Sequence, residues 1–152
     1  MAEPATSTES APEPRLTYLI KRLEMAQRAR LEEVLRPCGV SLHQYTTLSL
    51  LERRGGLSSA QLARRHFVTP QAMNQLVASL ESEGLIERRA DPVNRKILRA
   101  TLTKRGQKVV NACHSAVDEL ETTMLANLTA TQAREFRRSI ERTLTSLISV
   151  TA

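Results

Sequence analysis

Three times in this sequence a Ser or Thr is followed three residues later by Gln: Ser41 and Gln44, Ser58 and Gln61, Thr129 and Gln132. Each pair can close a capping box, in which the hydroxyl accepts from an orphan amide of the first helical turn and the carboxamide reaches back to the capping residue. A fourth helix start is Thr69-Pro70, with Thr as cap and Pro at the first helical position, where its missing amide costs nothing. Gly55-Gly56 and Gly84 supply stops. Starts and stops this dense leave room only for short helices in the middle of the chain, predicted at about 41–54, 58–66 and 69–83.

The flanks follow a different pattern. Residues 1–14, MAEPATSTESAPEP, hold three of the six prolines and almost nothing large and apolar, so they are expected to form a disordered tail. Leu16, Leu19, Ile20, Leu23, Ala26, Leu31, Val34 and Leu35 recur at the spacing of a helix that Pro37 and Gly39 end. After Gly84, Leu85–Arg88 and Ile97–Leu102 read as two short strands around a polar turn at Asp91-Pro92-Val93-Asn94. Val109, Val110, Cys113, Ala116, Val117, Leu120, Met124 and Leu128 describe a long amphipathic helix from Thr103 to about Leu128, and Phe136, Ile140, Leu144 and Leu147 another. The expected fold is mainly α with a small β-hairpin.

A chain of 152 residues with 41% apolar content can bury one core, so a single domain over 15–150 is expected. Two Cys without a short motif point away from a disulfide framework or a Cys-rich zinc site, and fit a reducing cytoplasm. The first residues lack the basic and apolar runs of a secretory signal. No segment approaches the roughly 20 apolar residues of a membrane span, which leaves no membrane role to expect. Nor is there a glycine-rich phosphate loop, a nucleophile motif or a convincing carboxylate pair, so no enzyme and no cofactor is expected. His43, His66 and His114 are too scattered to suggest a metal site.

Charge is informative once it is located. Residues 1–52 carry six basic and seven acidic groups, residues 53–108 twelve against four, and residues 109–152 four against five, so the whole excess of +6 arises in the middle. A basic excess confined to one segment is what phosphate binding requires, because neutralising phosphates releases counterions; a merely solvated basic face would look the same on charge alone. The helix from Thr69 adds an argument. With Met73, Leu76, Val77 and Leu80 as its buried stripe, Gln71, Asn74, Gln75 and Ser79 are left on the other side. Carboxamides can pair with adenine in the major groove, and residues near a helix N-terminus reach furthest into it. A short helix, a turn at Phe67-Val68 and a Pro-started helix form a helix-turn-helix, and the basic hairpin after it is the expected wing, residues 85–102.

These residues, LARRHFVTPQAMNQLVASLESEGLIERR with a DP-containing wing and LTKRG, resemble the MarR (multiple antibiotic resistance regulator) family, and the likeness extends over about residues 15–150. The resemblance implies a homodimeric winged-helix transcription regulator. Residues 15–40 and 103–150 would form the dimerisation helices and 41–102 the DNA-binding head, which reads a pseudo-palindromic operator in double-stranded DNA. It implies DNA contacts from Ser58, Arg65, Thr69, Gln71, Asn74 and Gln75, and from Asn94, Arg95 and Lys96 at the wing tip. There the usual Asp-x-Arg is replaced by Asn94-Arg95-Lys96, which removes an internal ion pair and leaves Arg95 or Lys96 for the minor groove.

Such regulators are commonly repressors released by a small, often anionic aromatic molecule held between head and dimer helices. Here Tyr18 and Arg22, four apart on the first helix, with His43 and Tyr45 on the second, are the candidates for that crevice. Two other readings stay open at this point. Cys38, in a turn two residues after Arg36, would suit a redox-sensing regulator, whereas Cys113 falls in an apolar stripe. A non-enzymatic interaction module with a vestigial helix-turn-helix is the other, and the located charge argues against it.

Overall fold

The computed structural model describes residues 12–149, so most of the expected tail lies outside the described residues. Helix α1 spans Leu16–Leu35 and passes through a 3-10 turn, Arg36–Cys38, to Gly39, whose φ of 73° a side chain would resist. Helices α2 (Leu42–Arg53), α3 (Ser59–His66) and α4 (Pro70–Ser82) follow, and α5 (Lys104–Met124) and α6 (Ala130–Ser149) close the chain. Every predicted cap is in place. The Ser41 hydroxyl accepts from the Gln44 amide at 3.1 Å and the Gln44 carboxamide accepts from the Ser41 amide at 2.9 Å. Ser58 with Gln61 and Thr129 with Gln132 repeat the arrangement, and Thr69 caps α4 through the Ala72 amide at 3.1 Å.

The hairpin pairs β2 (Ile86–Ala90) with β3 (Leu98–Leu102), setting Ile86 opposite Leu102 and Ala90 opposite Leu98. A third strand, missed in the two-strand reading, is β1, Leu57–Ser58, which pairs with Ala100 and Arg99 on the other edge of β3. Two residues between a glycine pair and a helix cap are too short to show any periodicity. The long helix also ends at Met124, not Leu128: residues 125–128 form a turn in which the Leu128 amide donates to the Leu125 carbonyl, positioning Thr129 to cap α6.

One core fills the space between α2, α3, α4, the sheet and the start of α5. Leu35, Leu48, Leu62, Met73, Leu80, Val110 and Cys113 are fully buried in it, and each large apolar side chain so removed from water contributes about 2 kcal/mol. The fold is a winged helix-turn-helix with long helices at both ends. The end helices are barely covered: Leu16, Ile20 and Met25 of α1 and Ile140, Leu144 and Ile148 of α6 are all exposed, and α6 buries no residue at all.

Candidate nucleic-acid interface

The face of α4 away from the core carries Gln71, Asn74 and Gln75, all exposed. Thr69, at its foot, is exposed but commits its hydroxyl to the cap. Asn74 is held from outside its helix, because Ser59 donates its hydroxyl to Asn74 Oδ1 at 2.5 Å. That bond fixes the carboxamide while leaving both amide hydrogens and one lone pair available. Ser79 departs from the expected face. It is half-buried and donates to Glu83 Oε1 at 2.8 Å, since eight residues on from Gln71 the helix has turned about 80° out of register. Arg65 is exposed near the end of α3, whereas Ser58 has its hydroxyl in the capping box and its backbone paired with β3.

In the wing, Arg95 and Lys96 are exposed and form no ion pair among the described residues, and Asn94 tightens the turn by accepting from the Lys96 amide at 3.2 Å. The pair lost at the tip has a counterpart at the base, so the wing is not left without an internal ion pair. Asp91 is salt-bridged to Arg99 across the hairpin and accepts from the amides of Val93 and Asn94, each at 2.8 Å. The Asn94 amide first, then Arg99 and the Val93 amide, hold the Asp91 carboxyl at about 2. Arg99 also donates to the Gly56 carbonyl at 2.9 Å, tying the wing to β1. Arg88 fixes the other strand to the end of α4 through Glu81, at 2.5 and 3.0 Å. The Asp-Pro dipeptide marked the turn, but nothing local in the sequence named Arg99 as its partner.

The four residues proposed for an effector crevice do not converge within one chain. Arg22 stacks over Tyr18, 5.8 Å from its ring centre, on the exposed side of α1. His43 and Tyr45, two apart on α2, turn to opposite neighbours. Nδ1 of His43 lies 3.1 Å from Nε2 of His66, above a cleft of about 340 Å³ lined by Val68, Ala72, Gln75 and Leu76. Burial, and secondarily the His43 charge, lowers the pKa of His66. Tyr45, half-buried, pairs with His114 Nδ1 at 3.0 Å, and His114 Nε2 pairs with Glu52 Oε2 at 2.6 Å. With the imidazole proton on Nε2, the tyrosine hydroxyl donates to Nδ1 and the ring donates to the carboxylate, which lowers the Glu52 pKa. This relay joins α2 of the head to α5; the sequence offered His114 only as one of three scattered His and did not mark Glu52 as its partner. The Cys113 thiol is buried and pushed up to about 12 by that burial and by the neighbouring Cys38, which is half-buried.

A basic head with an outward amide-bearing helix and a cationic hairpin beside it defines a winged helix-turn-helix protein of the DNA-binding kind. A model of the MarR family matches residues 39–97. The HTH-type transcriptional repressor Rv2887 of Mycobacterium tuberculosis is 39% identical over 127 residues, 84% of this chain and 91% of the relative. The chain belongs to the MarR family. The crystal structure of Rv2887 in complex with DNA superposes with a TM-score of 0.73 at 38% identity, over 86% of this chain and 98% of that one. Rv2887 in complex with salicylic acid gives 0.70 at 39% identity, over 88% and 97%.

Proposed function

We propose that this protein is a homodimeric transcriptional repressor that acts in the cytoplasm, reads a pseudo-palindromic operator through residues 41–102, and is released by a small aromatic anion. The observation that carries the reading is the exposed trio Gln71, Asn74 and Gln75 on a helix packed rigidly by Met73, Val77 and Leu80, within the segment that holds all of the chain's positive excess. The relative Rv2887, crystallised with DNA, supports it. Residues 15–40 and 103–150 serve as the dimerisation helices, and the exposed apolar side chains of α1 and α6 supply the surface. In the dimer a second copy brings the Tyr18–Arg22 pair to a crevice beside Tyr45, while His43 faces the α4 side and lies outside it; Rv2887 bound to salicylic acid supports that class of ligand.

Two kinds of contact give two signatures. Base-reading by Gln71, Asn74 or Gln75 means that an Ala substitution costs about 1–3 kcal/mol on the preferred duplex and little on random DNA. Phosphate contact by Arg65, Arg95 or Lys96 means that substitution weakens all duplexes alike and flattens the salt dependence. Affinities for a duplex selected from random DNA, and for scrambled DNA, at two salt concentrations test both. Equal losses on the two duplexes from the amide substitutions would remove α4 as the reader.

A further inference from the structure

Phe67 does nothing for the fold that glycine would not do better. It closes α3 with φ of 56°, alone among the described non-glycine residues in the left-handed region, and its side chain is 87% exposed. The turn it makes is a backbone device: its amide and that of Val68 both donate to the Ala63 carbonyl. A bulky aromatic is thus held in a strained backbone conformation and gains no burial in return.

Its surroundings show what it can meet. Phe67 stands two residues before the Thr69 cap, at the same end of α4 as Gln71, with the exposed guanidinium-bearing side chains of Arg64 and Arg65 just before it. That end of the recognition helix is the part that enters the major groove when the head docks, and the flanking arginines draw the corner toward phosphates. A duplex offers an apolar side chain two surfaces there, the 5-methyl group of thymine and the face of a deoxyribose. We propose that Phe67 packs on this apolar edge of the duplex and is an affinity-determining residue for the operator. The inference rests on the DNA-reading function proposed above.

The test uses the full chain and a duplex that the wild-type protein selects from random DNA. Phe67→Gly should melt at or above the wild-type temperature, because the turn is relieved of strain, and should keep the wild-type oligomeric state and salt slope. It should bind the selected duplex about tenfold more weakly, the loss expected on leaving roughly 50 Å² of apolar surface in water. Phe67→Leu should recover most of that affinity. Replacing each thymine of the half-site by uracil separates the two surfaces: a thymine methyl contact weakens wild-type binding at one position and leaves Phe67→Gly indifferent, whereas a sugar contact leaves both indifferent. Undiminished binding by Phe67→Gly overturns the proposal, and so does a lower melting temperature or a changed oligomeric state, which would make Phe67 a packing residue. If the wild-type protein selects no sequence at all, the DNA-reading function itself fails and the proposal falls with it.

Discussion

Asp91 shows how much one carboxylate can organise. It terminates β2, accepts two amides of the wing turn and meets Arg99, whose guanidinium continues to Gly56, so one side chain links turn, hairpin and β1. Its pKa is depressed, so the stabilisation is fully present above the ordinary value of 3.8 and is lost as pH falls toward about 2. Asp91→Asn keeps an amide-accepting oxygen but removes the charge that holds Arg99. Backbone amides of residues 92–98 should then exchange faster at neutral pH, while those of α4 exchange as before, and hydrogen exchange read by mass spectrometry compares the two. Unchanged protection of the wing would show the pair to be idle. The outward placement of the Gln71, Asn74 and Gln75 carboxamides on α4 was legible from their offset against the apolar stripe, since both belong to one helix. The Asp91–Arg99 partnership was not, because it depends on hairpin register.

At the scale of elements, local chemistry was readable and junctions were not. Capping boxes involve only four residues, so the starts of α2, α3 and α6 follow from sequence alone, and the Thr69-Pro70 cap marks α4 just as locally. Strand β1 exists only because Ala100 and Arg99 lie beside Leu57 and Ser58, which no window around Leu57 reveals. The join between wing and α5 is of the same kind. Thr103 caps α5 through the Gly106 amide at 3.0 Å, donates its hydroxyl to the Gly84 carbonyl at 2.6 Å, and gives its own amide to Leu85 at 3.1 Å. That three-way clasp brings α5 so close that a Cβ on Gly106 would stand 1.9 Å from the Leu85 carbonyl oxygen. Helix propensity alone says Gly106→Ala should stabilise by about 1 kcal/mol. The backbone contact says the opposite, and overpacking against an atom that cannot rotate away should destabilise by about 2–3 kcal/mol. Urea denaturation monitored by circular dichroism decides between the two signs.

At the scale of the whole molecule, the ligand release proposed above requires that a molecule on one surface shift a head whose core is fully packed. The head and α5 share a core, and beyond the Thr103 clasp their polar contact runs through the Tyr45–His114–Glu52 relay, with Gln107 adding a 2.7 Å bond to Glu52. A two-fold dimer must hold its recognition helices about 34 Å apart to read two half-sites in successive major grooves. A ligand weakens DNA binding only by favouring a different spacing, since equal affinity for both states shifts nothing. On the ligand-released function proposed above, an anion between the partner's α1 and the relay would have that differential grip. Arg22 would hold its carboxylate, and Tyr18 and Tyr45 would flank its ring, so the ligand would touch both the partner's α1 and the head. Salicylate should therefore weaken binding to the selected duplex, and Arg22→Ala should abolish that response while leaving ligand-free DNA affinity unchanged, because Arg22 lies on α1 rather than in the head. Fluorescence anisotropy of labelled duplex, titrated with salicylate for both proteins, reads the outcome directly. A fully responsive Arg22→Ala protein would place the anion elsewhere, and a wild-type protein indifferent to salicylate would exclude it as an effector.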